Sequence, residues 1–407
     1  MSSRTPTKKK LSIAMVVDTY DTNTGGIVST KRFTEGLRKA GHKVIVLSTG
    51  KKEKDKVVLK EFYPPLAKNI MKKMKMVFAK PEEEKLKEVF SKVDLVHVQL
   101  PFSLGIKAIT LARKMKLPVV SSFHVQAENI TKNIGISTQK ANDWIYSFFL
   151  KNIYNRSDIV ICPSKFAQEE LQLHKLKSTS AIISNGITKD FKPLRIKKRF
   201  LNRFVILTVG RLAAEKNQEQ IIDSILKSKH KKNIQLVIVG DGPLKSKLKK
   251  EGKKLPHNPL FLHNLSTEKL VKWYNNADLY IHCGQVELEG MTVLEAMACA
   301  TIPLIVDAKK SASSQFALTK NYLFQNATEL ARKIDYWFEH PLELLKNKDR
   351  CFQKAQKYLF STSVKKLENA YLQAIRINKQ NQLGKQKTEK AKRKLIQLRF
   401  LKKRTAK

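Results

Sequence analysis

The sequence predicts an α/β protein made of two doubly wound domains in tandem. Three observations carry that expectation. The chain has 407 residues, too many for one ordinary hydrophobic core. Its apolar residues gather in short continuous runs rather than alternating ones, as parallel strands buried on both faces require. Helical patterns or polar loops follow these runs, and the whole series occurs twice.

The first series opens with the strand "LSIAMVVD", then a loop carrying Gly25-Gly26 and a helix expected from about Ile27 to Ala40. Further strands are read at "HKVIVLST", "LVHVQL", "PVVSSFH" and "DIVICPS". The second series comprises "FVILTVG", "IQLVIVG", "LFLHNL", "LYIHCG" and "IPLIV", and the proline and basic residues of "KPLRIKKRFLNR" separate the two. The expected domains are residues 1–195 and 196–360, with 361–378 a helix returning to the first domain. Residues 379–407 have one acidic residue, Glu389, among many basic ones, and are expected to form a solvated tail able to become helical on an anionic surface.

The start "KKKLSIAMVVDTY" superficially resembles a leader peptide, but its apolar run is short and no small-residue cleavage site follows, so it reads as a buried strand. No run of apolar residues is long enough to span a bilayer, so any membrane contact is expected to be peripheral. Cys162, Cys283, Cys299 and Cys351 form no C-x-x-C pair, which argues against zinc and a disulfide framework and for a reducing cytoplasm.

The 79 Lys and Arg residues against 35 Asp and Glu give a formal charge of +44, a field that attracts nucleic acid, a phosphorylated ligand or an acidic membrane. An AT-rich genome that inflates lysine is the bland alternative. The excess is dispersed, with no aromatic-interleaved motif or finger spacing, so no specific nucleic-acid partner is expected. One basic-apolar stretch, "LAKNIMKKMKMVFAK", places Ile70, Met71, Met74 and Phe78 at helical spacing among lysines. It reads either as an ordinary amphipathic helix on the sheet or as a membrane-docking surface using Lys68, Met71, Lys72, Lys73, Lys75 and Phe78.

In open α/β sheets ligands sit beyond the carboxyl ends of the strands, so the loops there carry the chemistry. Gly25-Gly26 leads straight into a helix and can offer N–H groups to an anion, although such a pair taken alone is more often a simple turn. Arg211 and Lys216 follow the strand "FVILTVG" and suit a diphosphate, or else form a solvated pair beside Glu215. In "ELEGMTVLEAMA", Glu287 falls on the loop after "LYIHCG" and Glu295 in the second turn of the next helix. Gly290, Met291 and Thr292 open that helix, where N–H groups and the dipole favour phosphates. Carboxylates accept paired hydrogen bonds from vicinal hydroxyls, which suits Glu295 to a ribose. Together these features describe a site for a nucleotide-sugar.

"GGIVSTKRFTEGLRKAGHKV", "SNGI", "VGRLAAEKN", "VIVGDGP" and "ELEGMTVLEAMAC", in this order, resemble the family-4 retaining glycosyltransferases of GT-B fold. The resemblance spans about residues 11–375. It implies two Rossmann-like domains facing a cleft, a nucleotide-diphosphate sugar donor, no cofactor and no required metal, and retention at the anomeric carbon. On matching positions it implies Arg211 and Lys216 on the diphosphate, Glu295 on the ribose, Glu287 at the donor sugar and Gly26 at the sugar–phosphate junction. His124, in "SSFHVQAEN", matches the family's active-site histidine, though alone it would read as structural. The chain departs from the family at Ala300 and His263, where glycine is usual, and in "DAKKSASSQFAL", where serines 311, 313 and 314 replace glycines.

"HVQAENIT", "VELEGMTVLEAMA" and "SASSQFAL" resemble most the subgroup that glucosylates diacylglycerol at the cytosolic leaflet. The resemblance therefore implies a UDP-glucose or UDP-galactose donor, a diacylglycerol or related lipid acceptor, and a peripheral place on an anionic inner membrane face. The competing expectations are a transferase of polysaccharide assembly acting on a polyprenyl-linked acceptor and, in another class, a nucleic-acid-binding protein.

Overall fold

Two parallel sheets organise the computed structural model, which describes residues 9–22, 25–63 and 77–404. The first has seven strands, ordered across the sheet as 56–58, 43–48, 12–16, 95–98, 119–122, 159–162 and 179–182. The second has six, ordered 260–262, 234–239, 204–209, 279–282, 302–306 and 323–324. In each, the chain starts in the middle, winds to one edge, then returns to build the other. That reversal opens a crevice at the carboxyl ends of the central strands.

The expected strands all form, and the strands 95–98, 159–162, 234–239 and 302–306 are buried at every position, as their largely apolar sequences require. The first helix, Gly25–Lys39, begins at the Gly-Gly pair itself. The two domains have separate cores. The second-domain core already includes Ile187 and Phe191, so the change of core falls earlier than residue 195. Leu288, from the loop after strand 279–282, packs in a core cluster of the first domain.

The last helix, Phe360–Arg404, returns to the first domain, where Val364, Leu367, Ala370, Tyr371 and Ala374 complete its core. Two buried histidines receive it. His42 Nε2 lies 2.9 Å from Glu368 Oε1, and His97 Nδ1 lies 2.8 Å from the Tyr371 hydroxyl. At Gly36 a Cβ would fall 2.8 Å from both Phe360 Cε1 and Val364 Cγ2, so the helices touch where one lacks a side chain. The segment expected as a solvated tail from residue 379 is instead a continuation of this helix to Arg404. Its lysines, glutamines, alanines and leucines are strong helix formers, and no proline interrupts them.

Of the expected docking stretch, Lys68, Met71, Lys72, Lys73 and Lys75 lie outside the described residues. Phe78 does not sit on a helix. It belongs to a two-residue strand paired antiparallel with Glu61–Phe62, its ring 4.7 Å from that of Phe102, because an aromatic ring packs on another more favourably than it meets water. Among the described residues no helix is long and apolar enough to cross a membrane.

The helix Met291–Ala298 ends in a paired C-terminal turn, with Thr301 N–H donating to Ala296 and Ala300 N–H to Met297, each at 2.9 Å. Ala300 is the left-handed residue of that turn, at φ 55°. The glycine usual in the family thus has a conformational reason, and alanine bears a steric cost here. In "FLHNL" the left-handed residue is Asn264, not His263. Ala300→Gly should raise stability by about 1 kcal/mol, read as a higher urea midpoint.

Candidate active site

The glycine turn lies against a histidine. A Cβ on Gly26 would stand 3.1 Å from His124 Cβ, so only glycine leaves the helix start free to approach this closely. Gln99 braces both: its Oε1 lies 3.1 Å from His124 Nε2 and accepts from Thr30 Oγ1 at 3.2 Å, while Thr30 also bonds the Gly26 carbonyl. Because a carbonyl oxygen only accepts, His124 is assigned its proton on Nε2. Burial lowers its pKa to about 4, leaving a neutral imidazole as a hydrogen-bonding group rather than a charge.

Lys216 lies just past the second domain's first strand and forms an ion pair with Glu287. His282, the last residue of strand 279–282, lies 3.4 Å from the same Glu287 oxygen. Burial alone would raise the Glu287 carboxyl, but Lys216 and His282 outweigh it and hold the pKa at about 2. Arg211 belongs to the same loop as Lys216, its carbonyl held by Gln218 Nε2, and its buried Nη2 has no hydrogen-bond partner among the described residues. A guanidinium nitrogen shielded from water and unbonded is suited to an incoming anion.

Gly290 heads the helix Met291–Ala298 at φ 96°, and a Cβ there would come 2.5 Å from Ser313 Oγ. Glycine is needed for both the left-handed turn and the approach of Ser313, whose hydroxyl lies 3.1 Å from His282 Nε2. Thr292 Oγ1 accepts from Tyr280 at 2.7 Å, fixing the first turn whose Met291 and Thr292 N–H groups face outward from the helix start. Glu295 is buried and held by two partners, Arg32 Nη2 at 2.9 Å and the Tyr274 hydroxyl at 3.3 Å. Arg32 comes from the helix that begins at Gly25, and its guanidinium also lies over the Phe191 ring.

The structure therefore joins Lys216 to Glu287 and Gly26 to His124, and it links Glu295 to the glycine-turn helix through Arg32. Arg211 touches none of these side chains directly but shares the Lys216 loop. Arg32, His282, Ser184, Asn185 and Glu289 were not picked out as site residues from sequence. His282 could have been, since it ends a strand at the ligand-bearing edge. Arg32 left no local signal, because its partner is 263 residues away.

Glu289 completes the arrangement. Its carboxylate accepts from the Ser184 hydroxyl, from Asn185 N–H at 3.1 Å and from Asn185 Nδ2 at 2.6 Å, while Ser29 donates to Asn185 Oδ1. Burial raises its pKa to about 7 against those hydrogen bonds, with Glu287 adding to the rise. Among the described residues no three His, Cys, Asp or Glu side chains gather as a metal site requires.

Glu289 ionises in the unfolded chain near 4.5 and in the fold near 7, so between those values the native state keeps a proton that the unfolded chain has lost. Its contribution to stability is complete below 4.5 and declines as pH climbs to 7; Asp18, also raised to about 7 by burial, acts in the same direction. The urea midpoint should fall between about pH 5 and about pH 8, and fall less in Glu289→Gln.

Comparison with known proteins shows the family. A family model described as Glycosyltransferase Family 4 matches residues 24–191, and one described as Glycosyl transferases group 1 matches residues 190–358. The alpha-monoglucosyldiacylglycerol synthase of Streptococcus pneumoniae is 26% identical over 315 residues, 72% of this chain and 70% of its own length. The enzyme of the same name from Acholeplasma laidlawii is 25% identical over 381 residues, 86% of this chain and 94% of its own. A GDP-mannose-dependent alpha-mannosyltransferase of Mycolicibacterium smegmatis is 25% identical over 317 residues, 73% of this chain and 80% of its own. In fold, the chain resembles Anabaena HepE, crystallised with UDP-glucose, with a TM-score of 0.72 at 14% identity over 89% of this chain and 99% of that one. The chain belongs to the GT-B glycosyltransferases, with a family 4 domain at its amino end and a group 1 domain after it.

Proposed function

We propose that this glycosyltransferase moves a hexose, glucose or galactose, from a UDP-sugar to the hydroxyl of diacylglycerol, with retention, at the cytosolic membrane surface. The observation that carries the reading is the similarity to two alpha-monoglucosyldiacylglycerol synthases over most of both chains, 94% of one of them. The charges of the site support it.

In this reading Arg211 and Lys216 take the diphosphate, and the first-turn N–H groups of Met291 and Thr292, after Gly290, meet its oxygens. Negative charge grows there as the bond from anomeric carbon to phosphate oxygen lengthens, and cations fixed in advance stabilise it without reorganising. Binding draws Lys216 from Glu287 towards phosphate and leaves Glu287 free to orient the sugar. Glu295 exchanges Arg32 for the ribose diol. Gly26 lies at the sugar–phosphate junction, with Gly25 beside it, and neutral His124 hydrogen-bonds a sugar hydroxyl. The acceptor oxygen attacks on the face the diphosphate leaves, its bond to the anomeric carbon forming as the old one breaks. The departing phosphate oxygen takes its proton.

Labelled UDP-glucose, UDP-galactose and GDP-mannose, each incubated with diacylglycerol vesicles or with a polyprenyl phosphate, test the reading. A glycosyldiacylglycerol from a UDP-sugar is the expected product. Product only from GDP-mannose, or only on the polyprenyl acceptor, overturns it. Arg211→Ala and Lys216→Ala should each lower kcat by about 10²–10³-fold, roughly 2.7–4 kcal/mol in the barrier, in steady-state assays at saturating donor.

A further inference from the structure

The helix Gln139–Asn152 turns Tyr146, Phe149 and Leu150 into the first-domain core and leaves Trp144 and Phe148 outside. Trp144 is 69% exposed, and its ring stacks on that of Phe148 at 5.9 Å. The loop leading into the helix adds Ile134 and Ile136, and Leu173 stands exposed at the end of the helix Lys165–Leu173. Large apolar side chains gathered on one face of a protein mark a surface that meets something other than water.

Cations flank these side chains. Lys151, Lys175 and Lys177, all exposed, line an open groove of about 470 Å³ with Ser147, Asn155 and His174, and Lys140 begins the aromatic-bearing helix. The acidic groups nearby are already paired: Asp143 lies 3.1 Å from His174 Nε2, Glu169 lies 3.3 Å from Lys165, and buried Glu170 bonds Lys310. Aromatic and aliphatic side chains beside lysines that pair with no carboxylate among the described residues match the layered chemistry of an anionic bilayer, acyl boundary next to phosphate.

One end of the face meets the second domain. The helix Ala127–Asn133 reaches the second domain, where Asn133 Nδ2 lies 3.4 Å from Glu215 Oε2, next to Lys216. Ile134 follows directly. We propose that this face docks on an anionic membrane, with Trp144, Phe148, Ile134 and Ile136 among the headgroups and Lys151, Lys175 and Lys177 on lipid phosphates. Its residues belong neither to the basic stretch at 66–80 nor to the terminal helix. Its purpose, bringing a membrane-dissolved acceptor to the cleft mouth, rests on the lipid-acceptor reading above.

The tryptophans make the test direct. Trp273 and Trp337 are only 8% and 2% exposed, so Trp144 reports the change of surroundings. The full chain is titrated with phosphatidylglycerol–phosphatidylcholine vesicles whose acyl chains are brominated. Fluorescence should shift to the blue and quench, and Trp144→Phe should abolish that response while vesicle sedimentation persists. Trp144→Ser combined with Phe148→Ser should raise the half-saturating lipid concentration about tenfold, with an unaltered circular dichroism spectrum. Lys175→Gln and Lys177→Gln should each raise it about fivefold on anionic vesicles and not on neutral ones. No quenching by vesicles, as for a face that receives a soluble protein, or wild-type sedimentation of the serine double variant, overturns the proposal. Quenching without transfer to diacylglycerol upholds this surface and overturns only the acceptor; transfer without quenching does the reverse.

Discussion

The short loop Val286–Gly290 is the constraint on which the rest depends. It belongs to the second domain but is secured in the first. Leu288 is buried in the first domain's core, and its carbonyl accepts from Ser164 at 2.5 Å. On one side of it Glu287 meets Lys216 and His282; on the other Glu289 is bound by Ser184 and Asn185, where the chain passes between domains. A single apolar insertion thus sets the position of two carboxylates. Burying Leu288 adds to the pairing that offsets the cost of drawing charged neighbours out of water.

Those two carboxylates sit in opposite electrostatic situations. Two cationic or polar partners hold Glu287 ionised to about pH 2, whereas burial among neutral donors lifts Glu289 to about 7. Similar groups two residues apart are separated by their neighbours. Other contacts between the domains pair charged and polar groups. Lys310 reaches from the second domain to Glu128 and Glu170, and Gln126 donates to the Lys310 carbonyl. Burial opposes the Lys310 ammonium, yet Glu170 and Glu128 raise its pKa above the usual lysine range. Such a seam fixes orientation by pairing charges rather than by merging cores.

The fold was legible because parallel strands covered on both faces must be largely apolar, and runs such as "IPLIV" and "IVIC" admit little else. The extent of the final helix was less so, since a lysine-rich sequence suits both solvent and helix until packing at Glu368 and Tyr371 decides where it starts. Glu287, Lys216 and His124 were readable from loop position and family resemblance. Arg32, Asn185 and Ser313 act through partners remote in sequence, and nothing local marks such pairings. Ala300 and Gly290 were visible as letters, but their left-handed geometry gives them meaning.

The seat of Leu288 has a mechanical consequence. Parting the domains would extract this side chain from its socket and pull Glu289 off Ser184 and Asn185, so separation of the domains and disassembly of the candidate site are one event.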